Sequence, residues 1–279
     1  MKGRVLPAVL VAALALSGCG GSGPAHTSSA RAPSSTTTPA STTTTVSTRT
    51  TATATTPPRP HPPLLLGQIP DRLPTHRHVV ALTFDAGADN AGAPKILAAL
   101  ARAHAPATFF MTGRWADLYP QWARRIAARY PIGNHTFDHT NLLQLPPSGV
   151  SHEVDAAHAA ITRATGRPPV RLFRFPYGAS SAATLRLVNH LGYAAVGWTV
   201  DTLGWMGTSM GQSVDSVIAR ALGHLGPGEI ILMHVGANPT DHSTLDADAL
   251  PAILRAIRAR GYTFVTVPDY LGAPAAGPR

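Results

Sequence analysis

The sequence predicts an α/β fold, specifically a distorted (β/α)7-type barrel in which outer helices surround parallel strands. Between residues 68 and 271, short apolar runs bounded by turn residues alternate with stretches of helical periodicity, the pattern of strands joined by crossover helices. Polar, titratable residues follow several of these runs, as expected at the carboxyl ends of barrel strands. We therefore expect a closed or nearly closed barrel with a site at one end.

Seven strands and six helices make up the predicted barrel. The strands are predicted at 79–84, 107–111, 132–134, 171–175, 194–199, 230–233 and 263–267. The helices are predicted between them, at 93–103, 116–129, 151–164, 182–191, 212–222 and 246–260. In the last helix Leu250, Ile253, Leu254 and Ile257 recur at intervals of three and four residues, which predicts one buried face.

Residues 1–22 have the composition of a secretory signal peptide. Lys2 and Arg4 precede an apolar run that is too short to span a bilayer stably. The stretch "LSGC" resembles a bacterial lipobox, in which Cys19 would become the lipidated N-terminus; the alternative is cleavage after "ALA" at 13–15 and plain secretion. We expect an exported protein, held by this lipid on the outer face of the cell membrane or otherwise secreted.

Residues 23–67 are rich in Ser, Thr and Pro and lack the large apolar side chains that offset the entropy of ordering, so a disordered linker is expected before a domain at 68–279.

Cys19 is the sole cysteine, which excludes an intramolecular disulfide. The net charge of +9 does not indicate nucleic-acid binding, because the arginines are scattered without interleaved aromatic residues. We expect a monomer that contacts the membrane through its lipid only.

The stretch "GNHTFDH" carries two histidines, His135 and His139, four residues apart. One turn of helix would place both imidazoles on one face, which suits a metal site. With 13 histidines in the chain, a pair at this spacing also arises by chance, and a polar surface loop is the alternative.

Five predicted strands end in titratable residues. Asp85 follows the first, His135 the third, the run from Arg174 to Tyr177 the fourth, Asp201 the fifth and His234 the sixth. Since the carboxyl ends of parallel strands meet at one end of a barrel, these side chains predict an active site there.

The segments "LTFDAG", "HTFDH", "RFPYG", "DTLGW" and "ILMH" resemble, in order and spacing, the five motifs of the polysaccharide deacetylases, carbohydrate esterase family four (CE4). The resemblance covers essentially the whole folded domain. It implies a distorted barrel of about seven strands. It also implies a divalent metal, commonly zinc, and hydrolysis of the N-acetyl or O-acetyl group of a sugar. We expect an N-acetyl group on a cell-wall or environmental polysaccharide such as peptidoglycan or chitin, with acetylated xylan as a further candidate.

The resemblance assigns roles to the residues that match these motifs. Asp85 matches the general base, and Arg174 matches the arginine that orients this base and keeps it ionised. His135 and His139 match the metal ligands. His234 matches the general acid that protonates the leaving nitrogen.

The remaining matches concern the walls of the site. The backbone N–H of Tyr177 matches an oxyanion donor, in a turn that Pro176 would stiffen. Leu232 and Trp205 match the apolar walls around the acetyl methyl group. Substrate choice is expected to depend on the loop at 238–244 and on Trp205, Trp115 and Tyr130.

Two carboxylates of the family pattern are missing. Ala86 stands where the family has the Asp that is the third metal ligand, and Asp85, Asp89 and Asp138 are the nearby candidates to replace it. Gly204 stands where the family has the Asp that sets the pKa of the acid. We expect Asp201 to reach His234 instead. A catalytically weak or inactive glycan-binding domain is the alternative to a working enzyme.

Overall fold

The computed structural model describes residues 65–272 of the chain. The predicted signal peptide at 1–22, with Cys19, and residues 23–64 of the predicted linker lie outside the described residues.

Eight strands form one sheet in which all strand pairs are parallel. The sheet order is β5-β4-β3-β2-β1-β7-β6, and β8 pairs with the beginning of β1. The strand bounds are β1 Val79–Ala86, β2 Thr108–Met111, β3 Ile132–Asn134, β4 Leu172–Phe173, β5 Ala194–Ala195, β6 Val200–Asp201, β7 Glu229–His234 and β8 Thr263–Val265. The sheet curls into an incomplete barrel, which confirms the predicted fold class.

Of the strand predicted at 194–199, only 194–195 forms a strand, β5, and a second short strand, β6, follows at 200–201 on the opposite edge of the sheet. β5 pairs with β4, whereas β6 pairs with β7. Between them, the Val196 N–H donates to the carbonyl of Phe173 at 2.9 Å and the Thr199 N–H to that of Ile230 at 2.8 Å. Residues 196–199 therefore cross from one edge to the other and close the barrel without a β5–β6 strand pair in the part of the chain that the structure describes.

Eight α-helices lie between or after the strands in the described range. Their bounds are α1 Ala93–Arg102, α2 Gly113–Leu118, α3 Pro120–Ala127, α4 Pro147–Thr165, α5 Ala182–His190, α6 Val214–Gly223, α7 Leu245–Ala259 and α8 Pro268–Leu271. The prediction of a single helix at 116–129 is wrong. The helical backbone is interrupted at Tyr119 (φ −127°, ψ 53°), directly before Pro120, and this residue separates α2 from α3. A proline disfavours helical backbone in the residue that precedes it. None of the helices within residues 65–272 combines the length and the apolarity that crossing a membrane requires.

The alternation of side chains along β1 decides what faces the barrel interior. Val80, Leu82 and Phe84 belong to the larger buried cluster, which also contains side chains of α1 and α7. Because successive side chains of a strand point to opposite faces, Thr83 and Asp85 face inward. Both are buried. The sheet therefore presents a carboxylate to the barrel interior at the carboxyl end of its central strand.

Glu229 is a buried carboxyl at the opposite end of the barrel, at the start of β7. Its Oε2 accepts a hydrogen bond from the Gly226 N–H at 3.0 Å, while Oε1 has no hydrogen-bond partner among the described residues. Burial raises its pKa from 4.5 to about 7, and the Gly226 bond and the charge of Arg72 oppose this rise only in part. The folded protein thus retains a proton there that the unfolded chain has lost.

We expect Glu229→Gln to stabilise the protein at pH 8 and to have little effect near pH 4. Folding takes up a proton at Glu229 between pH 4.5 and about 7, so the contribution of this group to stability falls as pH rises through that window. The gain at pH 8 should be about 2 kcal/mol after allowance for solvent screening. Urea unfolding at both pH values measures it, with the exposed Asp117→Asn as control; an equal difference at both pH values would contradict the expectation.

Candidate active site

The titratable residues that follow the strands meet at one cavity of about 440 Å³. Its lining includes Asp85, His135, His139, Asp201 and His234. Asp85 and His234 are paired across the adjacent strands β1 and β7. The structure thus brings together the side chains that the strand-end pattern singles out.

Arg174 holds Asp85 from behind the cavity. This arginine is fully buried, and its Nη1 donates to Asp85 Oδ1 and to Thr83 Oγ1, both at 2.9 Å. Its Nη2 donates to the carbonyl of Gly197 at 2.9 Å, in the segment that closes the barrel. The guanidinium also lies 4.1 Å from the centre of the Phe110 ring. These contacts fix the guanidinium, and through it the carboxylate.

Asp85 is kept in its ionised form. Burial alone would raise the pKa of its carboxyl, but the adjacent Arg174, together with His135 and His234, lowers this pKa below the ordinary value. A buried carboxylate that stays charged is suited to accept a proton.

The ring of His135 is oriented by a backbone carbonyl. Its Nδ1 lies 2.8 Å from the carbonyl oxygen of Arg174 and therefore donates to it. Its Nε2 lies 3.4 Å from Asp85 Oδ2. Burial lowers the pKa of His135, so the ring is neutral and Nε2 carries a lone pair. This tautomer is typical of histidines that bind metals.

His139 meets His135 through a loop rather than through a helical turn. Residues 135–139 are not helical, so the expected turn of helix is wrong. Thr136 and His139 have positive φ values of 65° and 62°, which fold the loop so that the two imidazole centroids lie 4.8 Å apart. Burial, and then the nearby imidazole of His135, lowers the pKa of His139 to about 4. Both rings therefore offer neutral nitrogen donors.

Glu153 on α4 anchors the loop at 135–139. The sequence alone did not reveal this role. Glu153 Oε2 accepts the N–H groups of Phe137 at 2.9 Å and Asp138 at 3.0 Å. The sequence signal is an acidic residue on the buried face of α4, beside Val154 and Ala157. The loop conformation that pairs the imidazoles thus depends on a carboxylate outside the five motifs.

Two of the proposed substitutes for the missing metal ligand have other partners. Asp89 Oδ1 accepts hydrogen bonds from the N–H groups of Ala91 at 2.8 Å and Ala237 at 3.0 Å. Asp138 forms an ion pair with Arg114. Their carboxylates hold surface loops, and neither residue lines the cavity.

The residues fit a catalytic zinc only in part. His135 and His139 supply two nitrogen donors, but Ala86 supplies none. Within residues 65–272, no group of three or more His, Cys, Asp or Glu side chains could hold a metal ion. Catalytic zinc sites use three protein ligands. The residues present therefore do not complete a catalytic zinc site in the described part of the chain.

His234 lies beside Asp85, at the end of the adjacent strand β7, and is held by a residue that the sequence did not indicate. Asp246 Oδ2 accepts the backbone N–H of His234 at 2.8 Å and lies 3.4 Å from its ring Nδ1. Burial acts to lower the pKa of His234, but Asp246, and more weakly Asp85 and Asp201, raise it above its ordinary value. The ring can therefore carry a proton near neutral pH.

Asp201 does not make the expected contact with His234. Its Oδ1 accepts the N–H of Leu203 at 2.8 Å, and its Oδ2 accepts the indole N–H of Trp205 at 3.3 Å. It affects His234 through its charge alone. Asp201 thus orients Trp205, which Asn238 also supports by donating to the Trp205 carbonyl at 3.0 Å.

The apolar walls are placed in part as predicted. Leu232 and Trp205 line the cavity, as does Tyr177, whose ring is 70% exposed. The backbone of Tyr177 has φ 59°, a strained value that directs the turn. Pro176, predicted for the substrate pocket, is buried and does not line the cavity, because it begins the short 3-10 turn behind Tyr177.

Trp115 and Tyr130 are not placed to choose a substrate. Trp115 is fully buried, with its indole N–H donating to the carbonyl of Asp89 at 2.9 Å. Tyr130 is also buried, and it packs against Phe109. Neither lines the active-site cavity, so the prediction for both is wrong.

An α/β barrel whose cavity holds a buried carboxylate and a protonatable histidine has the groups that general acid–base catalysis requires. Residues 72–196 match the family described as Polysaccharide deacetylase. A chitooligosaccharide deacetylase of Azorhizobium caulinodans is 33% identical over 213 residues, which cover 73% of this chain and 99% of that relative. A peptidoglycan-N-acetylglucosamine deacetylase of Bacillus cereus is 34% identical over 197 residues, 70% of this chain and 69% of the relative. The chain belongs to the polysaccharide deacetylase family, which confirms the resemblance.

Solved structures agree with this assignment. The fold matches that of the peptidoglycan N-acetylglucosamine deacetylase Bc1960 with a TM-score of 0.67 at 32% identity, covering 74% of this chain and 94% of that one. A mutant of BA3943, a CE4 family pseudoenzyme with restored enzymatic activity, matches with a TM-score of 0.66 at 25% identity, covering 74% and 72%. The fold therefore occurs in enzymes and in a protein described as a pseudoenzyme.

Zinc titration of two variants tests which side chains bind metal. We expect Asp89→Ala to bind as much zinc as the wild type, because its carboxylate is committed to two backbone N–H groups. We expect His139→Ala to bind less. Competition with a chromogenic chelator measures the binding, and thermal unfolding of each variant checks that it is folded. Undiminished binding by folded His139→Ala would show that this histidine is not a zinc ligand.

Proposed function

We propose that this protein hydrolyses N-acetyl groups of a glucosamine- or muramic acid-containing polysaccharide, such as peptidoglycan or a chitin-type glycan. The observation that carries the proposal is the pair of groups facing one cavity, an ionised Asp85 held by Arg174 and a proton-carrying His234. Family membership supports it, since the relatives named above are deacetylases of chitooligosaccharides and peptidoglycan.

The proposed reaction assigns one proton transfer to each group. Asp85 accepts a proton from a water molecule as that water attacks the acetyl carbonyl carbon. The backbone N–H of Tyr177 donates to the oxyanion of the tetrahedral intermediate. His234 gives its proton to the amide nitrogen as the carbon–nitrogen bond breaks, which releases acetate and an amine. Trp205 and Leu232 enclose the acetyl methyl group.

We also propose a divalent cation, with zinc as the first candidate, at His135 and His139. Two neutral imidazoles support this proposal, and a bound cation would supply Lewis-acid polarisation of the water and the carbonyl. The absence of a carboxylate at Ala86 argues for binding weaker than that of a site with three protein ligands.

Acetate release from chitooligosaccharides and from peptidoglycan tests the function. We expect release by the wild type, in the presence of added zinc, cobalt or manganese, and a loss of about 100-fold or more in Asp85→Asn, which keeps the shape of the side chain but cannot act as a base. Asp117→Asn, which alters an exposed ion pair with Arg163, is the matched control and should retain full activity.

The alternative function is glycan recognition without turnover. Ala86 in place of the family carboxylate and the similarity to BA3943 favour it. Under this alternative, wild type and Asp85→Asn would release equally little acetate while binding the glycan equally well. Acetate release that depends on Asp85 would exclude it.

We further propose export and lipidation at Cys19, supported by the sequence "LSGC" after the apolar N-terminal run. In a bacterial expression host we expect the full chain in the membrane fraction, and Cys19→Ser in the soluble exported fraction. Mass spectrometry of the mature N-terminus identifies the lipid. Equal distribution of the two proteins would favour plain secretion.

A further inference from the structure

Asp246 occupies a buried position between the acid histidine and the turn that carries Trp205. It lies in the first turn of α7 and is 3% exposed. Besides its contacts with His234, its Oδ1 accepts the hydroxyl of Thr202 at 2.6 Å, and that hydroxyl also contacts the carbonyl of Leu232 at 3.0 Å. Both carboxylate oxygens therefore have defined partners, so the orientation of the side chain is fixed.

Gly204 has no room for a side chain because Asp246 fills that space. A Cβ atom at Gly204 would lie 2.5 Å from Asp246 Cγ, closer still to Oδ1, and 2.9 Å from the Asp246 backbone nitrogen. The backbone at Gly204 does not have a positive φ, so conformational freedom does not require a glycine there. The steric conflict shows that a carboxylate at 204 and the carboxylate of Asp246 exclude each other.

We propose that Asp246 is the positioning residue for His234, and that it replaces the carboxylate missing at Gly204 by approaching the same space from α7. The Asp246 carboxylate lies on the Nδ1 side of the His234 ring. The Nε2 atom is therefore available to donate a proton in the cavity. Asp201 makes no hydrogen bond or ion pair with His234 in the described residues, because its two oxygens face Leu203 and Trp205 within the 201–205 turn, whereas Asp246 lies 3.4 Å from Nδ1. The inference deepens the proposed deacetylase function and rests on it.

The first test compares Asp246→Asn with Asp248→Asn. Asparagine can keep one hydrogen bond to Thr202 and one to the His234 N–H but loses the charge beside Nδ1. We expect kcat for acetate release to fall about tenfold to 100-fold, with KM changed less than about twofold and little change in melting temperature. Asp248, two residues on and paired with exposed Lys95, is the control and should retain wild-type kcat. Wild-type kcat in Asp246→Asn would overturn the inference.

The second test moves the carboxylate. Gly204→Asp alone should destabilise the protein because of the steric conflict, and Asp246→Ala alone should lose activity. The double variant Gly204→Asp with Asp246→Ala keeps part of the strain, because the backbone nitrogen of residue 246 lies 2.9 Å from a Cβ at 204, but its kcat should be at least tenfold higher than that of Asp246→Ala. A purely structural role for Asp246 predicts recovery of the melting temperature without recovery of kcat, and that outcome would contradict the inference.

A third measurement does not depend on activity. Nitrogen-15 NMR of the imidazole, assigned with His234→Gln, reports which ring nitrogen carries the proton in the neutral form. We expect the Nδ1-protonated tautomer in the wild type and a shift towards the Nε2-protonated tautomer in Asp246→Ala. An unchanged tautomer would overturn the inference. If the wild type released no acetate but the tautomer shifted, the proposed function would fail while the placement of His234 by Asp246 would stand.

Discussion

The buried ion pair between Asp85 and Arg174 is the interaction on which the rest of the site depends. It joins the end of β1 to the turn after β4, and through the Gly197 carbonyl it reaches the segment between β5 and β6. Removing one partner of a buried pair leaves an uncompensated charge, at a cost of about 3–5 kcal/mol. The same contacts therefore keep Asp85, the proposed base, ionised and bind three parts of the barrel together.

Carboxylates on two outer helices fix the backbone segments that carry the histidines. Glu153 on α4 binds two backbone N–H groups of the loop that carries His139, and Asp246 on α7 binds the N–H of His234. Hydrogen bonds from backbone to an ionised acceptor are stronger than neutral ones, and burial strengthens them further. The cavity is thus shaped by fixed charges behind its walls as much as by the residues that line it.

The titratable residues at the carboxyl ends of the predicted strands were sufficient to find Asp85 and His234. Parallel strands bring these ends to one side of the barrel regardless of the loop conformations. This pattern could not find Asp246, which begins a helix twelve residues after His234 and carries no periodic or motif signal. The break at Pro120 was readable from proline chemistry alone. The misplacement of Trp115 had a different cause, since an indole is equally suited to a sugar-binding surface and to a core, and only the packing of α2 decides.

The closure of the barrel by residues 196–199 has a dynamic consequence. β5 and β6 form the two edges of the sheet and have only two residues each. Few hydrogen bonds therefore hold these edges, and local unfolding favours such weakly paired regions. Opening there would withdraw the Gly197 carbonyl from Arg174. The seam of the barrel and the position of the Asp85 carboxylate are therefore linked through one guanidinium, which contacts both.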